Sequence, residues 1–167
     1  MEPFDDRIKK QHRYQDFLYW NLVLAVPMLT ASIAIAHHSL AGLIAFILLI
    51  ALMAGLIYRF FCTHCPHYIQ GKKSTRCMFF WGMPKFFSQK PGPLNGKEKA
   101  ISIAAPLITL LFPLPWLMDQ PGLMLIYLMS LAVTGLTMWR QECVRCAYTD
   151  CPANRVETVA EDKADER

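Results

Sequence analysis

Four apolar blocks organise this chain: residues 17–36, 40–58, 100–118 and 123–139. A spanning helix needs about 20 mostly apolar residues, because each adds about 1.5 Å across roughly 30 Å of hydrocarbon. None of the blocks contains Asp, Glu, Lys, Arg or His. A helix of that length in a water-soluble core would keep a polar stripe. The pattern therefore predicts an all-α integral membrane protein, a four-transmembrane-helix bundle made of two hairpins. Short polar turns join the first block to the second (His37, His38, Ser39) and the third to the fourth (residues 119–122). The chain thus divides into an N-terminal segment (1–16), a first transmembrane hairpin (17–58), a polar loop (59–99), a second hairpin (100–139) and a polar tail (140–167).

Composition agrees with this division. Of 167 residues, 54% are hydrophobic and 18% charged, and mean hydropathy is +0.25. The first block follows Arg7, Lys9, Lys10 and Arg13, as the core of a signal peptide would. Its apolar run is longer than a signal core, no small-residue cleavage site precedes a polar chain, and a second span follows at once. It is expected to be retained. Direction follows from charge, since short cytoplasmic loops accumulate Lys and Arg. All 17 Lys and Arg lie in the three long polar segments: four in the first, eight in the loop and five in the tail. The two short turns have none. The expectation is a protein of the cytoplasmic (inner) membrane, with both termini, the loop and any cysteine-rich cap on the cytoplasmic side. Anionic lipid accounts for basic residues beside spans, so the expected partner is the lipid bilayer and not nucleic acid.

The two hairpins end alike. Tyr58-Arg59-Phe60-Phe61-Cys62-Thr63-His64-Cys65 follows the second block, and Trp139-Arg140-Gln141-Glu142-Cys143-Val144-Arg145-Cys146 follows the fourth. Both read aromatic-Arg-x-x-Cys-x-x-Cys and stand 81 residues apart, an offset that also aligns His38 with Asp119. The blocks otherwise match only in hydrophobicity. An internal repeat with both halves in one orientation implies a pseudo-two-fold axis along the membrane normal. It would bring the two cysteine motifs together. Tyr58 and Trp139 read as headgroup anchors, with Arg59 and Arg140 pinning the helix ends.

All six cysteines lie in polar segments: Cys62, Cys65 and Cys77 in the loop, and Cys143, Cys146 and Cys151 in the tail. Structural disulfides are disfavoured in reducing cytoplasm, so clustered cysteines point to metal or redox chemistry. If each second helix continued one turn past the membrane, the two cysteines of Cys-x-x-Cys would share one helix face. Thiolates bind zinc or the irons of an iron–sulfur cluster. Two three-thiolate sites would each need an outside ligand: His64 or His67 in the first group, Asp150, Asn154 or water in the second. Alternatively, the two Cys-x-x-Cys pairs make one four-thiolate site, leaving Cys77 and Cys151 spare. The recurrence of a third cysteine in both groups tips the expectation towards separate sites.

Other chemistries are less well provided for. Haem needs axial ligands inside the bundle, and no histidine lies in a block, so no haem is expected. Intramembrane ionisable residues mark ion pathways, and the blocks have none. Their Ser, Thr and Asn residues are expected to hydrogen-bond between helices. Pro106, Pro113 and Pro115 make the third span irregular. The aromatic run from Met78 to Phe87, flanked by lysines, suits a segment lying on the leaflet or docking a protein. The leading expectation is a small membrane subunit whose thiolate-ligated iron–sulfur centre relays electrons between a cytoplasmic or membrane protein partner and the membrane. The alternatives are a scaffold with a zinc-stabilised cap that recruits a partner, and a thiol oxidoreductase or soft-metal carrier.

Overall fold

The computed structural model describes Lys9, residues 12–69 and 74–148, and Cys151, Ala153, Asn154 and Val156. The charged tail beyond Val156, expected to be solvated helix or disordered, and Asp150 lie outside these residues. In chain order the elements are α1 (Tyr14–His38), α2 (Leu40–Phe60), a 3₁₀ turn (Cys62–His64), α3 (Pro66–Ile69), β1 (Ser74–Arg76), β2 (Trp81–Pro84), α4 (Gly96–Leu111), α5 (Leu114–Met118) and α6 (Pro121–Gln141). Four stretches, Tyr14–His38, Leu40–His64, Gly96–Met118 and Pro121–Gln141, are long and apolar enough to cross a membrane, with mean hydropathies of 1.7, 2.9, 1.9 and 1.7. Leu22, Leu29, Leu40, Leu48 and Leu125 are 61–71% exposed. Such a surface is a liability in water and the ordinary lipid-facing surface of a membrane protein.

The helices pack as a chain of neighbours: α6 against α1, α1 against α2, and α2 against α4. At the end of the short turns, Ala31, Ala34, Ile35, Phe46, Leu117 and Tyr127 form the core, with Phe46 stacked on Phe112 at 5.6 Å. The first turn is tighter than the sequence suggests. Helix α1 runs through His38, and Ser39 alone reverses the chain, its hydroxyl capping α2 by accepting from the Gly42 amide.

The third span is broken, as its prolines imply. Helix α4 stops at Leu111, and α5 restarts at Leu114 with Pro113 before it. Proline has no N–H to continue the ladder, so carbonyls at the break need other donors. The Tyr127 hydroxyl donates to Leu110 O at 2.8 Å. In lipid no water replaces such a bond. Tyr127→Phe is expected to destabilise the bundle by about 1–3 kcal/mol, read as a lowered unfolding midpoint in mild detergent.

The intramembrane hydroxyls behave differently from the expectation. Thr30, Ser32, Thr109 and Thr134 each donate to the carbonyl four residues back in their own helix, and Ser130 donates to that three back. A short hydroxyl can always satisfy itself this way, whereas an interhelical bond needs an acceptor that neighbouring helices have already used. Asn21, with a longer side chain, reaches out of its helix to Met78 O at 3.3 Å.

Candidate metal centre

The two cysteine motifs leave the bundle at the same end, after α2 and after α6. The first does not continue the helix. Pro66 forces the residue before it out of helical geometry, and Cys65 is extended (φ −72°, ψ 135°). Residues Cys62–His64 therefore close a 3₁₀ turn, with the Cys65 amide donating to Cys62 O at 3.0 Å. Helix α3 then starts at Pro66, with the Tyr68 amide donating to Cys65 O at 2.9 Å and the His67 amide favouring the Cys65 thiolate. Cys77 lies in the loop between the antiparallel strands β1 and β2, where the amides of Phe79, Phe80 and Met78 donate to its sulfur. After α6, the Cys143 amide reaches back to Met138 O at 3.2 Å and the Arg145 amide to Glu142 O at 3.1 Å. The Tyr148 amide donates to the Cys146 sulfur. Three cysteines from both motif regions thus share one device: a backbone N–H two residues on, aimed at sulfur.

These thiols sense one another. Cys62 interacts electrostatically with Cys77 and Cys65, Cys65 with Cys77 and Cys146, and Cys146 with Cys151 and Cys77. Packing joins the motifs too, since the Phe61 and Tyr148 rings meet edge-on at 5.8 Å. Burial, reinforced by the nearby Cys77 thiol, pushes the Cys65 thiol up to about 12 against the opposing amides. Burial likewise raises Cys77 and Cys146, with amide donors partly offsetting it. No disulfide joins the six cysteines; Cys62 is buried, and Cys143 and Cys151 are half-buried like the rest. Among the described residues, no three His, Cys, Asp or Glu side chains stand in an arrangement that could hold a metal ion. The thiols converge without forming a closed shell.

The candidate histidines face elsewhere. His64 places Nδ1 3.1 Å from Gly92 O and Nε2 3.2 Å from the Glu98 carboxylate. It ties the linker to the start of α4. His67 is buried and packs against His12 with ring centroids 4.6 Å apart. Asn154, offered as an outside ligand, donates instead to Cys146 O and Tyr148 O at 3.2 and 2.6 Å.

The aromatic run folds back as the β1–β2 hairpin and covers the first motif. Tyr58 is no headgroup anchor: it is 4% exposed, donates to Pro84 O at 2.8 Å and meets the Tyr68 and Phe80 rings edge-on. Phe86 remains 68% exposed.

Sequence reasoning missed a buried polar knot beside the cysteines. Glu142 accepts from Lys9 Nζ at 2.9 and 3.2 Å and from Trp20 Nε1 at 3.3 Å. His12 Nδ1 lies 3.9 Å from the Glu142 carboxylate and 3.7 Å from Asp16. Burial lowers the His12 pKa, with Glu142 opposing. Lys9 also donates its amide to Arg145 O at 2.8 Å and bridges Cys146 as a parallel β-pair. One signal was present: Glu142 is the single acid in the second motif, where the repeat offset places Phe61 in the first. Comparison of the chain with protein-family models, curated proteins and solved structures finds no match.

Proposed function

We propose that this chain is a small membrane subunit whose cytoplasmic cap holds one thiolate-ligated metal centre shared between the two halves. Its ligands are Cys62, Cys65, Cys77 and Cys146. The observation that carries this reading is the set of backbone N–H donors aimed at Cys65, Cys77 and Cys146. Amides directed at sulfur stabilise the thiolate form and tune a bound metal. They have no such use at inert buried thiols. A shared site replaces the separate sites expected from the spacing, because Cys65 and Cys77 both interact with Cys146 across the halves. The helix pairings support the repeat: exchanging the halves maps α1 on α6 onto α4 on α2. Both motifs then face the cytoplasm, where Lys and Arg concentrate.

Within this reading, an iron–sulfur centre relaying electrons to a partner comes first. Hydrogen bonds to sulfur raise the reduction potential of such centres. A zinc-stabilised scaffold is the second reading, favoured by the way Lys9, Phe61 and Tyr148 bind the two motifs together. A dithiol oxidoreductase is disfavoured, because its nucleophile needs a lowered pKa and burial raises Cys65 and Cys146. Protein purified without oxygen is expected to contain stoichiometric iron, absorb visible light and give an EPR signal after reduction. Zinc without that signal selects the scaffold, and a preparation lacking both metals refutes the centre. Because the raised thiols are protonated at pH 7, metal uptake by the apoprotein should release protons, measurable in weakly buffered solution.

A further inference from the structure

We propose that a cleft between the start of α1 and the end of α6 binds the phosphodiester headgroup of an anionic phospholipid, gripped by Arg140 and Arg145. The cleft is about 550 Å³ and is also lined by Lys9, Asp16, Trp20 and Glu142. Its inner wall holds one lysine against two carboxylates and carries one net negative charge. Lys9 lies 2.9 Å from Glu142 and 3.6 Å from Asp16, and the Trp20 indole donates to the same glutamate. The outer wall carries two positive charges, since among the described residues neither Arg140 nor Arg145 has a carboxylate within ion-pair distance. Both are exposed.

The counterpart of Arg140 in the first motif shows that this is not the default for the position. Arg59 lies over the Phe60 and Phe87 rings, 5.5 Å from each centroid, and is committed to the aromatic cap. Among the described residues no aromatic ring lies under Arg140, which lines the cleft. The location chooses the anion. The cleft opens where two spans end, beside Tyr19 and Trp20, at the depth where aromatic side chains sit among headgroups. Guanidinium groups match phosphate oxygens in charge and geometry. The lining charges sum to one positive, which favours a headgroup of net negative charge over a zwitterionic one. This site borders the proposed metal centre at Arg145, but its argument does not rest on a metal being bound there.

The test is native mass spectrometry of the full chain in neutral detergent, titrated with dioleoylphosphatidylglycerol, dioleoylphosphatidylcholine or inorganic phosphate. Phosphatidylglycerol should bind in preference to phosphatidylcholine and resist displacement by phosphate. Each basic residue near an anionic lipid surface contributes about fivefold, so Arg140→Gln should weaken phosphatidylglycerol about fivefold. Arg140→Gln with Arg145→Gln should weaken it roughly thirtyfold, while Arg59→Gln should leave it unchanged. The single Arg140→Gln variant lies outside the Cys-x-x-Cys pair, and its metal content should equal that of the unmodified protein. Equal binding of the two lipids, undiminished binding by the double variant, or displacement by phosphate at matching concentration would each overturn the proposal.

Discussion

Cys146→Ser is expected to strip most of the bound metal, although all three cysteines of the loop remain. Cys146 is the tail cysteine that interacts with both Cys65 and Cys77, and its sulfur receives the Tyr148 amide. Losing one of four thiolates leaves a three-thiolate site, with His64 turned away towards Glu98 and Gly92. Even disturbing the groups that orient a ligand typically costs 10–100-fold in affinity, and removing the ligand itself should exceed that. Two independent sites predict another outcome: the loop site stays loaded and about half the metal survives. Metal analysis of Cys146→Ser beside Cys151→Ser, which should stay near the unmodified content, separates the two arrangements. Half-loading of Cys146→Ser would refute the shared centre.

Glu142→Ala is expected to give the largest loss of stability of any single change outside the spans. Removing one partner of a buried charged pair costs about 3–5 kcal/mol, because the other charge stays behind without compensation. Here Lys9 is partly exposed, with 28% of its side chain accessible against 11% for Glu142, so about 2–4 kcal/mol is the expected range. Three groups lose their acceptor or counter-charge together: the Lys9 ammonium, the Trp20 indole and the His12 ring. The cap should open before the bundle does. Limited proteolysis should therefore cut near Lys9 and Lys10 faster in Glu142→Ala, at temperatures where the helices remain intact by circular dichroism. Glu142→Gln keeps an acceptor for Trp20 and should recover part of the loss. Unchanged cleavage would show that the N-terminal segment is held by other means.

The membrane-spanning elements were legible because hydrocarbon imposes one simple rule on sequence: about 20 residues without charge. Residues 17–36, 40–58 and 123–139 lie within long helices and 100–118 falls on the broken pair α4 and α5, the helices extended by polar flanks such as Tyr14 and Lys97 that hydropathy cannot claim. The break at Pro113 was legible for a similar reason, since proline acts locally. The cap was not legible. Its geometry depends on Pro66 turning a helical cysteine pair into a 3₁₀ turn, on Tyr58 folding inward, and on Glu142 gathering groups from 122 and 133 residues away. None of these follows from a window of neighbouring residues. The cysteines announced a site by type and spacing; which of them face each other is decided by helix packing that periodicity does not encode.

The pairing of Lys9 with Arg145 and Cys146 bears on how the protein is made. A ribosome adds about 5–20 residues per second, so Cys65 exists for roughly 4–16 s before Cys146 is added. Through that interval the loop thiols have no partner from the second half, and Lys9 lacks the Arg145 carbonyl and the Glu142 carboxylate it pairs with. The contacts between the two motifs are therefore a late product: the first hairpin and its loop thiols come first, and only the arrival of the second hairpin brings Arg145 and Cys146 to them.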